Sequence, residues 1–395
     1  MRSLAVIGFV GENANGVLHT NSEALNYHFG QRDIPSFVVD LRQADCTNRL
    51  QSIGAQHDIL LGYGYAGIGA HLKTGDASLW DKFQIPFLSL MYDHPFYNPA
   101  LHSASARSAC NCYAVRDFYD VQRDYIKSPQ PAVQLKISSN GYVIPHERSW
   151  NERDIDALFI KTGYDLRILE DSFKVMPPAF HTIVWDCIRT AQKDGDIVLT
   201  DFVRDGFAAS GIDFRRDQQT WDDFVYIVRV INQYLRYWRS EQLVEKLKHL
   251  PITIVGDGWD HIDKTNAKAK FLPAIQAPEV DPLVRRTKFI LNTHPYARYA
   301  WHERVFQGLE SGAAVISDRT RFTDEHFADL PNFIEFSWSD SSWPDRIASS
   351  MEEIRRKPYD CMPGRKRLAE RFPPDATAVH MIDIATQIRN GTLKP

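Results

Sequence analysis

Three polar residues in a row, His302-Glu303-Arg304, with Gln307 following shortly after, stand where the sequence begins a helix, and that placement suits the binding of an anion. The surrounding stretch, Ile290 to Asp318, reads as strand, loop, helix, glycine stop and strand, with the helix starting about Trp301 and closing at Gly312. The first turn of a helix leaves backbone N–H groups unbonded, and the aligned peptide dipoles make that end electropositive. A pyrophosphate would find donors, a favourable dipole and the Arg304 cation in one place. Asn292, at the end of the strand entering this helix, is grouped with these binding residues.

Other residue groups offer related chemistry. Lys161-Thr162-Gly163 follows the apolar run Asp156–Ile160, so it reads as a turn at the carboxyl end of a strand, where open α/β sheets bind their ligands. Gly256-Asp257-Gly258-Trp259 follows the run Ile252–Val255 in the same way, and its glycines would let a ligand approach the backbone. An ordinary βα turn with Trp259 as packing is the competing account. Asp93-His94 follows Phe87–Met91, and a carboxylate beside an imidazole can deprotonate a hydroxyl. Adjacent residues of an extended chain need not face the same way, and Asp93 equally suits a turn before Pro95. The segment Gly8 to Gly16 matches neither the dinucleotide fingerprint nor the P-loop, which leaves close approach of a neighbouring domain as its reason for glycine. Arg236-Tyr-Trp-Arg239 reads as ordinary packing within a long helix.

The elements that must position these residues alternate in the manner of parallel sheets with crossover helices. Apolar runs at Leu4–Val10, Ser36–Val39, Ile59–Leu61, Phe87–Met91 and Tyr113–Val115 predict a first sheet. A helix through Phe29, capped by Asn21 or Ser22 and closed by Gly30, would join its first two strands. A polar stretch over residues 138–152 interrupts the alternation and reads as a linker. A second sheet follows from Asp156–Ile160, Ile252–Val255, Phe289–Leu291, Ala313–Ile316 and Phe333–Phe336, with helices over 179–192 and about 219–249. The fold class is α/β, with two Rossmann-like domains, 1–150 and 151–395, and a cleft between them.

With 395 residues, the chain exceeds one ordinary core and suits two domains of roughly 150 to 250 residues. A charged fraction of 24%, a net charge of -4 and a pI near 6.4 give no overall attraction for nucleic acid. Five cysteines form neither an even disulfide set nor paired CxxC knuckles, Cys110-Asn-Cys112 reads as structural, and a reducing cytoplasm is the expected compartment. The apolar start at Leu4–Val10 reads as a first buried strand rather than a signal segment. No apolar stretch approaches the roughly 20 residues of a membrane span, so membrane contact would be peripheral. The fourteen histidines include no HExxH pair.

The stretch His302 to Asp318 resembles a pattern of GT-B glycosyltransferases, especially the CgeB-like, spore-maturation-related group: H-E-R-x-F-E-x-x-x-x-G and then a strand ending in aspartate. Gln307 stands where that pattern has its second glutamate, and Glu310 where it has a small residue. Ile252–Trp259, Asp156–Gly163 and Tyr92-Asp93-His94-Pro95 resemble further segments of the same group, the last an aspartate-histidine-proline motif facing the cleft. The resemblance implies a C-terminal domain holding a nucleoside-diphosphate sugar as co-substrate, with no cofactor and no metal. It implies that residue 307 grips the ribose, and glutamine keeps an acceptor there without the charge. It also implies that the last helix, about 375–390, returns to the N-terminal domain. The expected reaction transfers a sugar to an acceptor hydroxyl of a saccharide, lipid-linked glycan, protein or small molecule. Arg304 would meet the departing diphosphate, and Asp93 or His94 would serve as base. A nucleotide-sugar epimerase or a non-catalytic sugar- or nucleotide-binding protein shares this architecture.

Overall fold

The computed structural model describes residues 2–12, 14–102, 106–139, 148–357 and 359–393. The chain divides into two units, each with its own six-stranded parallel sheet. The first contains Met1–Gly141, Gln276–Pro278 and Phe372–Pro395. Its strands are β1 (Leu4–Val10), β2 (Ser36–Asp40), β3 (Asp58–Tyr65), the small antiparallel pair β4 (Lys73–Thr74) and β5 (Ala77–Ser78), β6 (Phe87–Met91), β7 (Ala109–Tyr113) and β8 (Ala132–Gln134). The sheet order is β2-β1-β3-β6-β7-β8. Helices cover both faces of such a sheet, so its central strands are buried along nearly their whole length and read as continuous apolar runs.

Strand β7 begins earlier than the expected Tyr113–Val115, because its polar and small residues hide it from a hydropathy reading. Cys110 and Cys112 are buried free thiols in the core, and buried Asn111 donates its Nδ2 to the His102 carbonyl at 3.1 Å and to the Gln122 amide oxygen at 2.8 Å. The helix after β1 spans Val17–Gly30 and starts at Gly16 in a left-handed conformation, ahead of the expected Asn21 or Ser22 cap. The helix Ala376–Arg389 packs Ala378, Met381, Ile384 and Ala385 into the same core as Leu25, Phe29, Leu61 and Tyr63. Arg389 donates to the carbonyls of Ile59 and Leu60, and Arg32 pairs with Asp375 at 2.5 Å, so the end of the chain is fastened to the first sheet.

The second unit contains Tyr142–Ile275 and Glu279–Arg371. Part of the expected linker, 140–147, lies outside the described residues. Trp150, at the expected boundary, belongs to the second unit: it stacks on Tyr359 at 3.9 Å and meets Phe289 edge-on. The strands are β9 (Ile155–Ile160), β10 (Ile252–Val255), β11 (Lys270–Leu272), β12 (Thr287–Asn292), β13 (Ala314–Asp318) and β14 (Phe333–Phe336), in the order β11-β10-β9-β12-β13-β14. Counted within the unit this is third, second, first, fourth, fifth, sixth, the order of the dinucleotide-binding Rossmann sheet. Between β9 and β10 the chain makes four helices, of which Gln218–Leu247 is the longest. Its apolar stripe, Phe224, Ile227, Val228, Ile231, Leu235, Leu243 and Leu247, is buried as its helical spacing requires. Among the described residues no helix is long and apolar enough to cross a membrane.

Candidate functional site

In the second sheet the strand order reverses between β9 and β12, and in open α/β folds ligands bind outside the carboxyl ends of the strands at that point. Lys161 follows β9, Asn292 ends β12, and the helix Glu303–Ser311 that carries Arg304 and Gln307 lies between β12 and β13. Trp301 stacks on Phe306 at 5.2 Å across the helix start, a hydrophobic staple that sets the entry angle of the chain. Gly312 closes the helix at φ 76°.

The helix start differs from the expectation of free backbone donors. His302 is the cap: its Nδ1 accepts the Arg304 N–H at 3.2 Å, and its carbonyl accepts the Val305 N–H at 3.0 Å. Two of the N–H groups counted toward the anion are thus already bonded, and side chains must supply the positive charge. They do so as a group. Burial holds Arg304 down at about 10, aided by the nearby Arg236 cation. Burial also pushes Lys161 well below the ordinary lysine range, with Arg236 and Arg304 adding to it. His302 is held neutral by burial and then by Arg304, Lys161, His294 and Arg236. These cations repel one another across one space, and an anion entering it would favour the charged form of each.

Asn292 does not serve as a free binding group. It is buried; its Oδ1 accepts the Arg304 Nε at 3.2 Å and its Nδ2 donates to Ser317 Oγ at 2.9 Å, so it orients the guanidinium instead. Arg304 Nη2 also donates to the Thr293 carbonyl at 3.4 Å. Beneath lies Asp318, fully buried at the end of β13. It accepts the His294 N–H at 2.8 Å, the His294 Nδ1 at 2.9 Å and the Trp338 Nε1 at 3.0 Å, and pairs with Arg239 at 3.4 Å. Those partners hold its carboxyl below the usual range despite burial.

The glycine turns have a different reason from the expected one. A Cβ on Gly256 would lie 2.3 Å from the Lys161 carbonyl oxygen, and one on Gly163 would lie 2.4 Å from the Trp259 ring. The turns after β9 and β10 are zipped together, with the Gly163 N–H bonded to the Asp257 carbonyl at 2.8 Å and Trp259 Nε1 to the Lys161 carbonyl at 2.9 Å. Gly163, Gly256 and Gly258 are small because a neighbouring backbone fills that space. Trp259 is buried packing. Of this group, the Lys161 side chain and exposed Thr162 remain available to a ligand.

Asp93 and His94 do not form a pair. Asp93 is exposed, whereas His94 is buried among Phe96, Tyr97 and Phe118 and caps a short turn by accepting the Phe96 N–H on Nδ1 at 3.2 Å. Burial pushes its pKa down to about 3. With Nδ1 engaged, the neutral ring carries its proton on Nε2 and has no lone pair left for a substrate proton, which removes His94 as a base. Glu303 and Gln307 are half-buried on the helix beside Arg304.

Sequence reading set Arg236 and Arg239 aside as ordinary packing and gave no role to His294. The two arginines lie three apart on one helix and so share a face, but nothing in the sequence aims that face at the site rather than at solvent. Arg239 is buried over the Tyr296 ring at 4.7 Å, and Arg236 enters the cation group. His294 follows β12 by two residues, which could have marked it.

Residues 236–358 match the family model described as Glycosyl transferase-like. No curated protein sequence matches the chain. Among solved structures, the chain is similar to sucrose-phosphate synthase from Thermosynechococcus elongatus, at 9% identity over 99% of this chain and 100% of that one, with a TM-score of 0.51. It is similar to an alpha-glucosyltransferase in complex with UDP and a 13-mer DNA, at 9% identity over 97% and 99%, with a TM-score of 0.56. HepE from Anabaena, in complex with UDP and glucose, aligns at 10% identity over 98% and 100%, with a TM-score of 0.50. At such identities the structures speak for the fold alone, the GT-B arrangement of two Rossmann-like units, and the match to the glycosyl transferase-like model is confined to the stretch that begins at Arg236 and takes in Arg304 and Asp318.

Proposed function

We propose that this protein is a CgeB-like glycosyltransferase that moves a sugar from a nucleoside-diphosphate sugar to an acceptor hydroxyl without a metal ion. The observation that carries the reading is the group Lys161, Arg236 and Arg304 at the switch point of the second sheet. As the glycosidic bond to the diphosphate breaks, negative charge grows on the leaving oxygen. Fixed cations in a partly dry site stabilise that charge more than they stabilise the ground state. Neutral His302, with Nδ1 occupied, presents Nε2–H as a further donor. Uridine is the first candidate base, since an alpha-glucosyltransferase and HepE of the same fold are described with UDP. In the first unit Asp93 is the candidate to take the acceptor proton in an inverting reaction. The acceptor is a hydroxyl compound and not nucleic acid, and the working compartment is the cytoplasm.

Calorimetry with UDP, GDP, TDP, ADP and CMP tests the donor site, followed by incubation of the matching sugar donors with acceptor libraries in the presence of EDTA. One diphosphate should bind well ahead of the others, and transfer should survive chelation. Failure of all five to bind would remove the donor site, and transfer abolished by EDTA and restored by a divalent ion would remove the metal-independent mechanism.

A further inference from the structure

We infer that Asp318 is a positioning residue for Arg304, acting through the segment Asn292–His294, and that its buried carboxylate tunes how tightly the site holds a diphosphate; this rests on the donor site proposed above. Arg304 reaches the site by leaning on two anchors of that segment, the Asn292 Oδ1 and the Thr293 carbonyl. The segment in turn is clamped from below. Asp318 Oδ1 takes both the backbone N–H and the ring Nδ1 of His294, and Ser317, its neighbour on β13, takes the Asn292 amide. From the side, the helix Gln218–Leu247 adds Arg239 Nη1 to the His294 carbonyl at 3.4 Å and Ser240 Oγ to Thr293 Oγ1 at 3.3 Å.

The clamp is costly to bury. Asp318, His294 and Arg239 are all at least nine-tenths removed from solvent, and the His294 Nε2 has no hydrogen-bond partner. A hydrophobic core of the same shape would avoid both penalties. What the polar arrangement provides is direction: a carboxylate with four fixed partners sets the path of the chain from β12, and with it the plane of the Arg304 guanidinium that must match a phosphate.

Charge and position predict opposite signs, which makes the inference testable. A carboxylate near an anion site repels the anion through space, so removing its charge alone would tighten diphosphate binding. Asp318→Asn keeps the size and one acceptor oxygen but loses the charge that holds Nδ1 and Arg239. The probes are whichever of UDP, GDP, TDP and ADP the wild type binds, and the corresponding nucleoside. Asp318→Asn should weaken the diphosphate about tenfold and leave the nucleoside within about twofold. In an Arg304→Ala background it should have no further effect. Trp338→Phe, which removes one bond to Oδ2 and keeps the aromatic packing, should weaken the diphosphate about two- to fivefold and serves if the asparagine variant does not fold. Tighter diphosphate binding in either variant, equal loss for diphosphate and nucleoside, or a full effect persisting without Arg304 would overturn the inference while leaving the donor site standing. A wild type that binds none of the four diphosphates would overturn both.

Discussion

Gly258 and Gly163 meet back to back: a Cβ on Gly258 would lie 2.3 Å from the Gly163 carbonyl oxygen, and Gly258 sits at φ 83°. Both the contact and the left-handed backbone exclude a side chain. Gly258→Ala should cost about 2 to 4 kcal/mol of stability, the sum of overpacking and backbone strain. Urea unfolding measures this. If the glycine served a ligand instead, the variant would keep its midpoint and lose only nucleotide affinity.

Arg304 and Lys161 are expected to act on the phosphates and not on the base or ribose. Arg304→Ala should weaken the preferred nucleoside diphosphate by about ten- to a hundredfold, the worth of a charge-assisted hydrogen bond, and leave the nucleoside nearly unchanged. Lys161→Met, which keeps an unbranched apolar stem and removes the charge, should act in the same direction with a smaller effect. Equal loss of both ligands in calorimetry would show that these side chains work through folding.

Acid stability should report on His94 and His102, which burial holds at about 3 and about 4 against an ordinary value of 6.5. Their folded forms stay neutral while the unfolded chain takes up protons below 6.5, so this stability is fully present above that pH and is lost as pH falls toward the folded values. By pH 5 each would have lost about 2 kcal/mol. His94→Asn retains a capping acceptor for the Phe96 N–H, and should flatten the wild-type slope of unfolding free energy between pH 7 and 5 by about that amount. Sugar transfer at neutral pH should be kept. A folded variant that has lost transfer would restore His94 to the reaction.

The sequence showed the strand-helix-strand unit around Arg304 and most strands of both sheets, because parallel strands covered on both faces are continuous apolar runs. It misjudged β7, where Cys110, Asn111 and Cys112 pack a core with little apolar signal. It placed Lys161 at a strand end and Arg304 at a helix start, since local order alone decides that. It could not see that the His302 ring would cap the helix, that Gly163 and Gly258 would face each other, or that Arg236 would come from a helix far back in the chain. Each of these depends on which turn lies beside which, and that is set by strand order, not by the strands themselves.

Gln307 separates this chain from the glutamate pattern it otherwise resembles. It stands about one helical turn beyond Glu303 and Arg304 on the helix Glu303–Ser311, half-buried, so a nucleotide with its phosphates at Arg304 would bring its ribose alongside. A neutral amide accepts one hydroxyl and donates to another group, whereas an ionised carboxylate offers two stronger acceptors. Gln307→Glu should therefore keep or tighten binding of the diphosphate. Gln307→Leu, close in size but without hydrogen bonds, should weaken it by about 1 to 3 kcal/mol, the cost of leaving a ribose hydroxyl unpaired. The comparison that decides is between ribose and 2′-deoxyribose forms of the ligand. The leucine variant should lose the preference of the wild type for the ribose form; if it binds both forms as tightly as the wild type does, Gln307 is only a helix residue and the ribose is held elsewhere.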